Sequence, residues 1–209
     1  MTGCWHPLFT RLYTLARWWM EPRGGADHRR ELLACLEGRV LEVGAGSGLN
    51  FEHYPPTVTE VDAIEPEPHF RARAFVAAQR APVSVHVMHG FADALPFPDG
   101  MFDAAVCSLM LCSVPDPVSS LIEIGRVLRP GGELRFYEHV RGTGRIALLQ
   151  DVFDPVWSRV AAGCHMNRDA VAAIEQAGFK LERVRRFDFI GWVMAPHVLG
   201  LARSPVPGT

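Results

Sequence analysis

The sequence predicts an α/β protein built on a mostly parallel sheet of seven strands, and three observations lead there. Short apolar runs alternate with helical patterns from Arg39 to Val140. Glycines cluster where the first of those runs ends, in LEVGAGSGLNF. The last third closes on two strand-like runs near enough in sequence to pair as an antiparallel hairpin.

Each element has its own warrant. RVLEV (39–43) has the β-branched and apolar content of a buried strand, and LNFEHY (49–54) follows as a short helical turn. TVTEVDAIE supplies a second strand, HFRARAFVAAQ a helix and VSVHVM a third strand. MFDAAVCSLML carries a fourth strand, and VSSLIEIGRVL reads as a helix stopped by Pro130 and Gly131 before a fifth strand, GELRFYEHV. Beyond Val140, IALLQDVFDPVWSRVA is a helix expected to bend or break at Pro155. RDAVAAIEQAGF is a further helix ending at Gly178, and FKLERVRRFDF is a strand that a run around His197 to Ala202 can pair with. Upstream, Leu8, Leu12, Leu15 and Trp19 recur at helical spacing, and a second helix starts near Asp27 and reaches Leu36. The layout is a single domain: a helical cap over 1–37, a core over 38–140 and a segment over 141–209 carrying the last helices and strands.

Composition narrows the function classes. The 209 residues carry a formal charge of −2, which gives no electrostatic reason to expect nucleic acid, so the expected partner is a small molecule. The apolar stretch from Trp5 to Met20 is broken by His6, Arg11 and Arg17, which reads as neither a signal peptide nor a spanning helix. Cys4, Cys35, Cys107, Cys112 and Cys164 make an odd number with no CxxC pair, which argues against a disulfide framework or a zinc site and for reduced thiols in a cytoplasm. A homodimer is compatible with the pattern but nothing demands one.

The glycine run is the strongest chemical signal. Gly44, Gly46 and Gly48 let the backbone turn sharply where a strand runs into a loop, and they leave room for a ligand. A dinucleotide fingerprint would put its third glycine at position 49, where this chain has Leu49. Glu65 ends the second strand, where its carboxylate can accept ribose hydroxyls, and Glu42 adds a second carboxylate at the first turn. Carboxylates with no lysine or arginine in the loop suit a ligand bearing an ammonium and a sulfonium, S-adenosylmethionine, better than a phosphate-bearing cofactor. Tyr137 has no lysine near it in sequence, which weakens a nicotinamide-dependent oxidoreductase.

VLEVGAGSG, Glu65, FADALPFPDGMFDAAVCS and RVLRPGGEL together resemble the class I methyltransferases, in the branch shaped like the ubiquinone-biosynthesis enzymes. The resemblance implies a Rossmann-like class I methyltransferase fold with a seven-stranded sheet, N-terminal capping helices and S-adenosylmethionine as cofactor. It further implies that Gly44, Gly46 and Gly48 line the methionine end and that Glu65 holds the ribose, with Glu42, Asn50 and Pro66 also in the cofactor site. Phe91 and Ala92 would border the adenine, with Ser108 and Leu109 closing under the cofactor. Many relatives have an aspartate where this chain has Phe91. NFEHYP, MLCSV, YEHV, DPVW and GCHMNRD look like the alkyl thiol methyltransferases and their bacterial relatives, which implies a small thiol or sulfide as acceptor.

Methyl transfer from a sulfonium is an in-line displacement with a neutral leaving group, so positioning and exclusion of water matter more than acid/base machinery. His139, just after the fifth strand, is the first candidate for a base or an acceptor-positioning group, and His165 the second. Cys112 and Cys164 read as small buried hydrophobes, since no covalent intermediate is needed. Phe153, Trp157, Trp192, Trp18 and Trp19 offer aromatic surface for an acceptor pocket, and Arg183, Arg185 and Arg186 read as a solvated face. The competing functions are a C- or O-methyltransferase acting on a quinone-like acceptor and a non-catalytic module that only binds the cofactor.

Overall fold

The structure, a computed structural model, describes residues 24–161, 163–188 and 196–206. The expected N-terminal apolar helix, with Trp18 and Trp19, lies outside the described residues, as does Trp192.

Seven strands form one sheet in the order β3-β2-β1-β4-β5-β7-β6. They are β1 (Gly38–Val43), β2 (Val58–Ile64), β3 (Ser84–Met88), β4 (Phe102–Ser108), β5 (Leu128–His139), β6 (Lys180–Asp188) and β7 (Pro196–Arg203). The first five run parallel, while β7 is antiparallel to both β5 and β6. The expected architecture and its terminal hairpin are both present. The chain winds outward from β1 in one direction, then returns to add β4 on the other side, so the strand order reverses between β1 and β4. A crevice opens at such a point beyond the carboxyl ends of the strands.

Alternation along the strands divides the core in two. Leu41, Val43, Ala105, Cys107, Leu134 and Phe136 face one side, where they meet Leu121, Ile124 and Val127 of α3 (Pro117–Val127) and Ile174 of α5 (Ala170–Gln176). Val40, Val61, Ala63, Ala104, Val106 and Tyr137 face the other, under Leu32 and Leu33 of α1 (Gly25–Leu33) and Ala74 of α2 (Pro68–Ala78). Both faces are covered, as a parallel sheet requires. Asp116 caps α3 by accepting from the N–H groups of Val118 and Ser119, Glu67 caps α2 through Phe70, and each helix has proline in its first turn.

α1 stops at Leu33, short of the expected Leu36, with Cys35 at a left-handed φ of 60°. Two further boundaries differ from the sequence expectation. The helix before β5 ends at Val127, and the strand begins at once with Leu128, which pairs with Phe102; the Pro130–Gly132 stretch is an irregularity inside β5. The hydrophobic side chain of Leu128 is buried on the sheet, and this outweighs the punctuation that follows it. Similarly, α4 (Gly144–Val160) continues through Pro155. The carbonyl deprived of its partner belongs to Asp151, which is exposed, so water can satisfy it.

β7 lies inside the sheet, and Gly200 is what lets it approach β5. A Cβ at that position would collide with the Phe136 ring and with the Arg183 carbonyl. Gly200→Ala is therefore expected to lower stability by about 1–3 kcal/mol through overpacking, seen as a lower urea midpoint at unchanged slope.

Candidate functional site

The glycine loop leaves β1 at the crevice. Gly44, Gly46 and Gly48 all have positive φ, at 69°, 57° and 78°. They do different jobs. A Cβ on Gly44 would meet Met110 at 2.7 Å, and one on Gly48 would meet the Phe51 ring at 2.7 Å, so both are packed glycines. A Cβ on Gly46 would find nothing within 4 Å. Gly46 alone of the three turns toward open space, as a loop that receives a ligand must.

Glu65 fastens this loop to the end of β2. Its Oε2 accepts from the Gly46 N–H at 2.7 Å and its Oε1 from the Glu67 N–H at 2.8 Å. Burial pushes its pKa up, against the pull of those two N–H groups. Each oxygen keeps a further lone pair. Pro66 is exposed, and its carbonyl accepts from Arg71.

Glu42 is buried behind the loop. Asn50 Nδ2 donates to its Oε1 at 3.0 Å and the Tyr54 hydroxyl to its Oε2 at 2.7 Å. From α1, Arg29 Nη1 donates to Asn50 Oδ1 at 2.9 Å and to Ser108 Oγ at 3.2 Å. The predicted residues Glu42, Asn50 and Ser108 thus share one network. Arg29 carries no signal in sequence, because an arginine in an amphipathic helix ordinarily marks the solvent face, and Tyr54 stands only within the NFEHYP motif with no role attached. Leu109 follows with a φ of 56°, rare outside glycine, and its N–H bonds the Tyr137 carbonyl at 2.7 Å. On the loop after β3, Phe91 is half exposed beside His89, while Ala92 is buried.

The two histidines are not equivalent. His165 Nδ1 lies 2.7 Å from Asp154 Oδ2, and its backbone N–H donates to the Cys112 carbonyl, so it ties a loop to α4. His139, at the end of β5, points Nε2 at two thiols: Cys164 Sγ at 3.5 Å and Cys112 Sγ at 3.8 Å. For His139 burial works against the charged ring, while hydrogen bonding with Cys164 and the nearby Glu138 carboxylate work in its favour and leave its pKa raised. The Cys164 thiol is pushed well up, first by its hydrogen bond with Cys112 and then by burial. The linear sequence holds no metal-ligand spacing, but the fold assembles Cys112, His139 and Cys164 with their ligand atoms all within 4.8 Å of one another. The residues were missed as a group because 27 and 25 positions separate His139 from its partners. Trp157 packs against the two thiols, whereas Phe153 is exposed.

Comparison with known proteins bears on this geometry. A family model described as "Methyltransferase domain" matches residues 41–136. Human thiol S-methyltransferase TMT1B is 32% identical over 97% of this chain and 90% of its own length. The chain belongs to the thiol S-methyltransferase family. Human TMT1A is likewise 32% identical, over 95% of this chain and 85% of its own length. A solved structure of a SAM-dependent methyltransferase from Methanosarcina mazei shares the fold at a TM-score of 0.65, with 20% identity over 84% of this chain and 96% of that one. As a family member the protein is an S-adenosylmethionine-dependent methyltransferase. Its residues fit that cofactor: there is open space at Gly46, buried carboxylates stand at Glu42 and Glu65, and no lysine or arginine lies in the glycine loop.

Two outcomes are expected. Gly46→Ala places a methyl group in the open space and a non-glycine residue at positive φ. It should weaken cofactor binding at least about tenfold in calorimetry, at a stability cost of about 1–2 kcal/mol. Burial, opposed by the Tyr54 and Asn50 hydrogen bonds, pushes Glu42 from 4.5 up to about 7. The folded protein therefore keeps a proton that the unfolded chain loses, and this group's contribution to stability falls as pH rises from about 4.5 to about 7. Glu42→Gln abolishes that slope: beyond a constant offset, the variant should gain on the parent by roughly 3 kcal/mol across the window in urea titrations.

Proposed function

We propose that the protein transfers a methyl group from S-adenosylmethionine to the sulfur of a small thiol, at the carboxyl edge of β1, β4 and β5. The observation that carries this reading is the pairing, on one sheet edge, of a glycine loop open at Gly46 with a soft, largely buried cluster of His139, Cys112 and Cys164. The relatives' names supply the thiol.

When bound, the cofactor supplies a methyl group on a sulfonium sulfur that departs as a neutral thioether. Gly44, Gly46, Gly48 and Asn50 would line its methionine end. Arg29, which reaches both the glycine loop and Ser108, has the charge to meet a carboxylate, and Glu42 has the charge to offset an ammonium. Glu65, already fixed by two backbone N–H groups, would present its remaining lone pairs to ribose hydroxyls, with Pro66 beside it. Phe91 and Ala92 would border the base, and Ser108 and Leu109 would floor the site. His139 is the acceptor-positioning group, and His165 acts through Asp154 to hold the loop that carries Cys164. A displacement of this kind gains chiefly from alignment and from a dry site, and the buried surroundings of His139 provide that environment.

The four described cysteines, Cys35, Cys107, Cys112 and Cys164, are free thiols, which suits a reducing compartment such as the cytoplasm. Among the described residues no helix is long and apolar enough to cross a membrane. The acceptor is a small molecule rather than a nucleic acid.

The test is formation of S-adenosylhomocysteine with a small alkyl thiol, a phenol and a quinone precursor in parallel. Turnover with the thiol alone is expected; turnover only with the phenol or quinone precursor would move the assignment to O- or C-methylation, and binding without turnover would leave a cofactor-binding module. His139→Asn should lower kcat/KM for the thiol by about 100-fold while cofactor affinity in calorimetry stays within about twofold of the parent.

A further inference from the structure

We propose that Cys112, His139 and Cys164 form a zinc site with three protein ligands and an open fourth position, and that the acceptor thiolate occupies that position. The identity of the fourth ligand rests on the thiol reading above; the three protein ligands do not.

The ligand set is one that a soft or borderline cation selects. Two thiolates and an imidazole suit Zn²⁺, and three protein ligands with a vacancy are the pattern of catalytic rather than structural zinc. The spacing agrees. Tetrahedral zinc with bonds of about 2.3 Å to sulfur and about 2.0–2.1 Å to nitrogen places sulfur and nitrogen about 3.5–3.6 Å apart. The Cys164 Sγ to His139 Nε2 distance is 3.5 Å and the Cys112 Sγ to His139 Nε2 distance 3.8 Å. Small movements of side chains complete the geometry.

The surroundings fit the role as well. Cys112 and Cys164 are buried, and Ala161 and Trp157 pack against them. The Trp157 indole N–H donates to Cys164 Sγ at 3.5 Å, a contact that steadies a sulfur ligand from the second layer. His139 Nδ1 makes no hydrogen bond among the described residues, so its proton can rest there while Nε2 presents its lone pair to the cation. All three ligands are held by structure beneath them: His139 by its strand pairing with His197, Cys112 through its carbonyl to the His165 N–H, and Cys164 through its N–H to the Ala161 carbonyl.

The chemistry balances without a further reactant. Zinc uptake releases one proton from each of the two thiols, and binding of the acceptor thiol releases a third to solvent. The zinc-bound sulfur then forms a bond to the methyl carbon as the bond from that carbon to the sulfonium sulfur breaks. The bonding pair stays on the departing sulfur, which becomes neutral, and the methylated product is a weak thioether ligand that leaves the metal. The cation thus supplies thiolate at neutral pH with no general base.

The experiment uses the full chain, purified under reducing conditions and stripped of metal by a chelator, then titrated with Zn²⁺ and separately with Co²⁺. The expected result is about one equivalent of either ion per chain, with thiolate-to-cobalt charge-transfer absorption that shifts when a small alkyl thiol is added. Cys112→Ser, Cys164→Ser and His139→Asn should each weaken zinc binding by at least about 100-fold, whereas Cys35→Ser, at an exposed thiol, should not. Circular dichroism identifies any variant that fails to fold, and the cobalt spectrum of the unmutated protein stands independently of the variants. No stoichiometric uptake by the reduced protein would overturn the site, as would finding these cysteines joined to each other in a disulfide in the active protein. Full thiol methylation by the metal-free protein would overturn the role in the reaction while leaving S-methylation intact. A cobalt spectrum unmoved by thiol would overturn the acceptor's place on the metal.

Discussion

Glu138 sits on β5 with no exposed surface, and its Oε1 accepts from the N–H groups of both Met110 and Leu111 at 2.9 Å. Burial drives its pKa upward while those two N–H groups pull it down. A buried carboxylate without partners is costly, and so are the backbone groups of a tight turn after a strand. Oε1 and the two N–H groups satisfy each other, while Oε2 has no hydrogen-bond partner among the described residues. The consequence is that the turn after β4 is clamped to β5, with Leu109 held at positive φ below the crevice. Cys112, three residues on, falls beside His139, the neighbour of Glu138 on the strand.

The two halves of the site rest on different kinds of support. The cofactor half joins backbone conformation, with three glycines at positive φ and Glu65 accepting from main-chain N–H groups on both sides, to one cross-fold network of Arg29, Asn50, Ser108 and Glu42. The acceptor half depends on side chains reaching across the fold, with Glu138, Asp154 and Arg168 each bonding to another segment of the chain; Arg168, for example, donates to the carbonyl of Leu111. Backbone rules tolerate wide variation in side chains, whereas cross-fold bonds need particular residues at both ends.

That difference also explains what a reader of the sequence can see. The strands from β1 to β5 announce themselves as short apolar runs, and Gly44, Gly46 and Gly48 through their spacing, because both signals are local. Glu42 is legible from its place at the first turn, Asn50 and Ser108 only by resemblance, and their link through Arg29 is not legible at all, since it joins α1 to two loops on the sheet edge. The Cys112, His139 and Cys164 cluster is hidden for the same reason: the order of the strands, not the spacing of the residues, brings the three together. Pro155 and the Pro130–Gly132 stretch mislead in the opposite direction. Each is a strong local punctuation mark that tertiary packing or solvent exposure overrides.

β7 follows every other strand in the chain and yet lies between β5 and β6, where His197 pairs with His139. As the chain leaves the ribosome, β1 to β5 can align while the far edge of β5 still lacks a neighbour. Until β7 slides in, β6 has no strand to hold it to the sheet, and the backbone that carries His139 is an open edge. The strand that covers the edge carrying His139 is therefore the last to emerge during synthesis, after the glycine loop and all of β1 to β5.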